Sequence, residues 1–207
     1  MKIVQASVQL IWMTPNSARE IELAARTCYK TEESYDPSKT AAFLDKVVHQ
    51  YHHESIVEHA VASFRIVCDR GVSHELVRHR IASYSQESTR YCNYAKDRHG
   101  NEISVIEPPG LSTPEHLVWS KAMEAAETAY FQLIGAKVAP QIARSVLPNS
   151  LKTEIVMTTN FRSWLNFIKL RTAAAAHPQI REIALQIQSI LQANCPEIFG
   201  NPPQSST

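Results

Sequence analysis

The sequence predicts a single mixed α/β domain, and three observations carry that expectation. Residues 2–10 and 59–68 alternate with the two-residue period of a strand, while the stretches from Ser17 to His52 and from Thr113 onward repeat apolar residues at helical spacing. No internal repeat, low-complexity stretch or linker interrupts the 207 residues. The domain is expected to span residues 1–199, with 200–207 (GNPPQSST) as a frayed tail.

Taken in order, residues 2–10 form the first strand. Ser17 followed by Glu20 has the form of a capping box opening a helix to about Tyr29, with Ile21, Ala24, Ala25 and Cys28 on its buried stripe. After a turn over Asp36 to Ser38, a second helix reaches His52 and turns Phe43, Leu44, Val47 and Val48 inward. The strand from His59 places Ala60, Ala62, Phe64, Ile66 and Cys68 on one side and Arg65 on the other.

Gly71 and Ser73 suit the start of a short helix running through Glu75, Leu76 and Val77 toward Arg78. A polar segment follows to Tyr94, then a strand from Ile103 to Glu107. Pro108, Pro109 and Gly110 mark a turn, and Thr113 with Pro114 supplies the N-cap and first turn of a helix ending near Pro140. Pro140 and Pro148 bracket a short helix. A strand over 153–159, a helix over 161–171 with Trp164, Leu165 and Ile168 inward, and a last helix from near Pro178 to before Cys195 complete the order.

Composition narrows the function. Twenty-one Lys and Arg against twenty Asp and Glu give a formal charge of +1, so no global field draws nucleic acid or an anionic membrane, and any anion site must be local. No stretch approaches the roughly 20 apolar residues that span a bilayer, and the N-terminal stretch is too short and polar for a secretory core. Cys28, Cys68, Cys92 and Cys195 form no CxxC pair, and they read as reduced thiols of a cytoplasmic protein.

The densest chemistry lies at RHRIASYSQESTR, residues 78–90. Arg78, Arg80 and Arg90 surround Ser83, Ser85, Ser88 and Thr89, and guanidinium forks with hydroxyls suit a phosphate. The plainer reading of the same composition is a solvated basic loop paired with Glu87.

The spacing RHR, seven residues, Ser88, one residue, Arg90, with Ser83 inside it, resembles the defining motif of the flavin-dependent thymidylate synthases. HESIVEH at 53–59, ARSVLP at 143–148 and NFRSWLNFIKLR at 160–171 resemble that family's other blocks, so the likeness covers most of the chain. It implies a single mixed domain with a central, largely antiparallel sheet packed by helices. It also implies reductive methylation of dUMP to dTMP, with methylenetetrahydrofolate as carbon donor, NADPH as reductant through FAD, and tetrahydrofolate released.

By the same resemblance, Ser55, Glu58, Arg78, His79, Arg80, Ile81, Asn160, Arg162 and Asn166 match FAD-contacting positions. Whether Arg80 meets nucleotide or braces another subunit is left open. His53 matches a position near flavin and folate. Glu75, Arg78, Glu87, Ser88, Thr89, Arg90, Arg144 and Arg171 match the nucleotide-binding set. Arg144, near the pyrimidine carbonyls, would stabilise electron density as C5 becomes nucleophilic. Arg144, His53 and Arg171 are thus the expected catalytic residues, and the active sites are expected to be shared between subunits of a homotetramer. Ser88 is a nucleotide contact rather than a covalent nucleophile, because sequence proximity aligns no base with its hydroxyl. Glu75 stands where the family often carries Gln, and His177, Pro178, Gln179 and Arg181 replace a more usual arrangement.

Three other readings of these residues compete. His52, His53 and His59 with Glu54 and Glu58 suggest a metal site, but the spacing is not HExxH. Tyr84, Tyr91 and Tyr94 interleaved with Arg80 and Arg90 suggest single-stranded nucleic acid, against the near-neutral charge. Trp12, Trp119 and Trp164 suggest interface anchors but read better as packing residues. The expectation is no metal, no nucleic acid and no membrane.

Overall fold

The computed structural model describes residues 1–96 and 100–200; most of the expected tail lies outside the described residues. Its strands are β1 (Lys2–Ile3), β2 (Ser7–Met13), β3 (Val61–Asp69), β4 (Ser83–Gln86), β5 (Ser104–Val105) and β6 (Lys152–Asn160). Its helices are α1 (Ser17–Thr27), α2 (Thr40–Leu44), α3 (Arg70–Leu76), α4 (Thr113–Gly135), α5 (Pro140–Ala143), α6 (Phe161–Arg171), α7 (Pro178–Asn194) and α8 (Pro196–Phe199). A four-stranded antiparallel sheet in the order β2-β3-β6-β4 is packed by helices, and β1 pairs with β5 in parallel. Near one end of the β3–β6 pair Phe161 N–H donates to the Ala60 carbonyl, and near the other Arg70 N–H donates to Leu151, so the two strands run in opposite directions.

The chain divides into two compact units, Met1–Ser7, Ile66–Arg78 and Ser85–Ile155 in the first, and Val8–Arg65, His79–Tyr84 and the chain from Val156 onward in the second. In the first, Ile103, Val105, Met123, Tyr130, Ala143 and Leu151 form a buried cluster beneath α4. In the second, Trp164 is fully buried, with Phe64 and Phe167 edge-on at 5.1 and 5.5 Å and its indole N–H donating to the Ala62 carbonyl.

Helix α6 runs where its sequence predicts. Asn160 caps it, the side chain accepting from Ser163 N–H at 2.9 Å, and Phe161, Trp164, Leu165, Phe167 and Ile168 form its buried face. Strand β3 also buries the expected Ala62, Phe64, Ile66 and Cys68, with Arg65 exposed.

Elsewhere tertiary context prevails over local pattern. The expected strand over 2–10 is two strands in two sheets. Ser17 is not a cap: its hydroxyl donates to the Thr14 carbonyl, and Asn16, at φ 49°, occupies the N-cap. On α1 the fully buried Glu22 replaces Cys28 in the inward stripe, its Oε1 accepting from Arg26 Nε at 2.8 Å while the Arg26 guanidinium lies 4.5 Å over Phe43. The helix expected to reach His52 breaks into a 3₁₀ turn (Pro37–Lys39), α2 and a π-helical stretch (Asp45–Gln50), with Leu44 and Val48 inward. The polar segment, to which the sequence assigns no element, contains β4. Helix α4 is capped by Ser112 rather than Thr113, with Ser112 N–H and hydroxyl both donating to Glu115 Oε2 at 2.7 Å, and it ends at Gly135. Trp12, expected to pack, is 49% exposed on β2.

Gly110 of the expected turn has φ +88°, and an added Cβ would meet nothing within 4 Å. Gly110→Ala should therefore cost only the left-handed conformation, about 1 kcal/mol, read as a lower urea midpoint at unchanged m value.

Candidate functional site

In the first unit, α3 follows β3 because Asp69 caps it, Oδ1 accepting from Val72 N–H at 2.7 Å. Glu75 lies in its last turn and is half-buried, and Arg78 is exposed just beyond. Strand β4 is held to α3 and β6 through Gln86, whose amide donates to Ser73 Oγ and Thr153 Oγ1, and to β6 through Glu87 N–H to the Glu154 carbonyl. These bonds explain a strand in the apolar-poor sequence SYSQ: its partners are distant residues, which local periodicity does not reveal.

Immediately after β4 the chain turns tightly at Ser88, whose carbonyl accepts from Tyr91 and Cys92 N–H. This turn brings together Ser88, Thr89, Arg90 and Arg144 of the expected nucleotide set. Arg144, exposed at the start of a 3₁₀ turn (Arg144–Val146), donates from NH1 to the buried Thr89 Oγ1 at 3.3 Å. Arg90, also exposed, donates from Nε to Gln141 Oε1 at 3.2 Å. Two guanidiniums thus flank a hydroxyl-bearing turn, each hydrogen-bonded to a neutral partner that leaves its charge available to an anion. Glu87 differs from the others: Tyr94 Oη donates to its Oε1 and Lys152 Nζ to its Oε2, both at 3.1 Å. Sequence reasoning does not single out Gln141 or Lys152, and it gives Tyr94 a role only in the nucleic-acid reading. Only the outward register of Lys152 on β6 hinted at one of them.

In the second unit, the π-helical stretch and the left-handed His52, φ 56°, precede His53, which is exposed with its N–H donating to the Val47 carbonyl. Ser55 and Glu58 are exposed on a 3₁₀ helix (Glu54–His59). Arg162 and Asn166 are exposed one turn apart on α6, as the spacing predicts. Arg162 NH1 donates to Glu58 Oε1 at 2.7 Å, joining two of the expected flavin positions. Asn160 is the cap of the same helix.

The middle of the RHR run is also in this unit. The His79 ring packs edge-on against Phe167 at 4.9 Å, and its Nε2 accepts from Arg171 Nε at 2.9 Å, which places any ring proton on Nδ1. Burial, reinforced by the Arg171 charge, lowers the His79 pKa to about 4. Arg80 is exposed, and Ile81 is 81% exposed with φ 63°, a rare backbone for a β-branched residue. Two hydrogen bonds hold that backbone: Thr159 Oγ1 to the Ile81 carbonyl at 2.5 Å and Tyr84 Oη to the His79 carbonyl at 2.7 Å. A strained, pinned loop offering an exposed aliphatic side chain next to the exposed Arg80 suits the flavin that the resemblance implies, which joins a flat ring to an anionic diphosphate.

All four cysteines are free, and burial pushes the Cys68 and Cys195 thiols up to about 12, so these two carry no thiolate near neutral pH. Among the described residues no three His, Cys, Asp or Glu are grouped to hold a metal ion, and no helix is long and apolar enough to cross a membrane.

The model of the family described as thymidylate synthase complementing protein matches residues 9–197. The chain is 36% identical over 201 residues to the flavin-dependent thymidylate synthase of Geobacter sulfurreducens, covering 93% of this chain and 84% of that one. It is 34% identical over 212 residues to the protein of the same name from Mycolicibacterium gilvum, covering 92% and 82%. Among solved structures, the UMP/dUMP methylase PolB from Streptomyces cacaoi, bound with 5-Br dUMP, matches at a TM-score of 0.82 over 97% of this chain and 96% of that one. At 24% identity that likeness establishes a shared fold.

Proposed function

The chain belongs to the family of thymidylate synthase complementing proteins, the flavin-dependent thymidylate synthases, and from that membership we propose that it converts dUMP to dTMP. Methylenetetrahydrofolate supplies the carbon and NADPH the reducing equivalents, with tetrahydrofolate released. The observation that carries this reading is the Ser88–Arg90 turn, where Arg144 is tied to Thr89 and Arg90 to Gln141.

Ser88, Thr89 and Arg90 bind the nucleotide, with Glu75, Arg78 and Arg171 contributing to the same substrate. Arg144 holds positive charge at the pyrimidine carbonyls, where electron density accumulates as C5 becomes nucleophilic. Ser55, Glu58, Arg78, His79, Arg80, Ile81, Asn160, Arg162 and Asn166 hold FAD, and exposed His53 orders the reacting partners beside it. FAD held by these residues would supply the redox chemistry that links NADPH to the pyrimidine. Neutral His79 keeps an acceptor facing Arg171 at physiological pH, which fixes that guanidinium without a second cation beside it.

The assay is direct. Purified protein with FAD, NADPH, dUMP and methylenetetrahydrofolate should form dTMP and tetrahydrofolate, and omitting any component should abolish both. Product formed without FAD would reject the flavin route; none formed by folded, FAD-loaded protein would reject the function. We propose a homotetramer with active sites shared between subunits, to be tested by sedimentation of the ligand-bound enzyme; an active monomer would overturn that assembly.

A further inference from the structure

Glu87 lies one residue before the hydroxyl-bearing turn and three before Arg90, so its carboxylate is the nearest chemical rival to a phosphate in that part of the chain. Both of its oxygens are nevertheless occupied, Oε1 by the Tyr94 hydroxyl and Oε2 by the Lys152 ammonium. Lys152 is itself anchored, donating to Glu154 Oε1 at 2.6 Å. The Glu87 and Lys152 side chains are only 18% and 21% exposed, so water screens the pair weakly. Burial, with Glu87 beside it, raises the Tyr94 phenol far above its ordinary value, and the phenol remains a donor. For Lys152, burial is outweighed by Glu154 and Glu87, and the ammonium is held charged. Among the described residues neither Arg90 nor Arg144 is paired with a carboxylate.

We propose that Lys152 and Tyr94 are positioning residues that hold Glu87 off Arg90, keeping that guanidinium open to the nucleotide phosphate. This rests on the dUMP reading above and adds two residues to it. Neither needs to touch the substrate: their action is to deny the anion site to a carboxylate of the same chain. A released Glu87 would pair with a neighbouring guanidinium, and dUMP would have to displace it before binding.

The test uses FAD-loaded protein and dUMP as probe, with equilibrium binding by calorimetry alongside steady-state kinetics. Lys152→Met should weaken dUMP binding and raise KM at least about tenfold, the scale of one charge-assisted hydrogen bond gained by the competitor, with kcat nearly unchanged. Adding Glu87→Gln in that background should lower KM below that of Lys152→Met by removing the competing charge. Lys152→Arg, which keeps the ammonium's role, should bind as wild type does. If Lys152→Met does not fold, Tyr94→Phe removes the other donor with a single oxygen and should raise KM by about threefold, again lowered by Glu87→Gln. An unchanged affinity in the single variant, or a double variant as weak as the single one, overturns the proposal, the latter because Lys152 would then be acting on phosphate or on packing. Wild-type protein that does not bind dUMP would overturn the substrate reading itself, a result distinct from either of those.

Discussion

Arg144→Ala should lower turnover by ~10²–10³-fold while moving Tm by no more than a few degrees. The two halves of that expectation have separate origins. Stability should hardly change because the Arg144 side chain is exposed and its hydrogen bond to Thr89 Oγ1, at 3.3 Å, is long for its type. The Cα of Arg144 opens a single 3₁₀ turn directly after α5, a backbone that alanine adopts as readily. Turnover should collapse because a fixed positive charge placed where negative charge develops acts mostly in the transition state, and no other group on α5 or the following turn carries a charge to replace it. Arg144→Lys should recover part of the rate, since the charge returns without the planar two-donor fork. The measurements are kcat and KM from dTMP formation and Tm by calorimetry. A rise in KM alone, with kcat preserved, would reduce Arg144 to a phosphate or ribose contact and remove it from the chemistry.

How much of this was legible beforehand depends on where each residue finds its partners. Helix α6 was readable to the residue because everything that specifies it is local: an Asn cap, an apolar face at helical spacing, and Arg171 at its end. The same locality made Arg162 and Asn166 readable as neighbours. Strand β4 was not readable, because the bonds that make SYSQ extended come from Ser73, Thr153 and Glu154, far away in sequence. The π-helical stretch before His53 was hidden for a related reason. Its composition is ordinary for an α-helix, and the irregular winding is settled by packing against the rest of the unit. Charge behaved likewise. Glu87 and Arg90 look alike in a string of polar residues, yet one is clamped by Lys152 and Tyr94 while the other stays exposed beside Gln141. Motif spacing identifies which residues gather; the partner of each charge belongs to tertiary structure, and that partner decides whether a charged residue serves a ligand or the fold.

His79 shows the same division in a form that pH can read. In the unfolded chain its imidazole titrates near 6.5, whereas in the folded protein burial and Arg171 hold it at about 4. The sign follows from proton uptake. Above pH 6.5 both states leave His79 neutral and it contributes no slope. Between pH 6.5 and 4 the unfolded chain binds a proton that the folded protein refuses, so stability falls as pH falls, and below 4 the loss is complete. Because the ring is only half-buried, solvent screening reduces the full linkage value, leaving about 1–2 kcal/mol lost across that window. His79→Gln keeps a side-chain acceptor for Arg171 but carries no titrating group, so its urea-derived stability should decline less steeply than wild type over the same range. The difference between the two curves isolates this ring from the other eight histidines. Arg171→Ala removes the facing guanidinium and should narrow the window by raising the His79 pKa, which nuclear magnetic resonance of the ring protons reads directly. Parallel curves for wild type and His79→Gln between pH 6.5 and 4 would mean that the imidazole accepts its proton inside the fold. The Arg171 contact at 2.9 Å would then have to open, and the guanidinium assigned to the nucleotide would no longer be held in place by the centre of the RHR run.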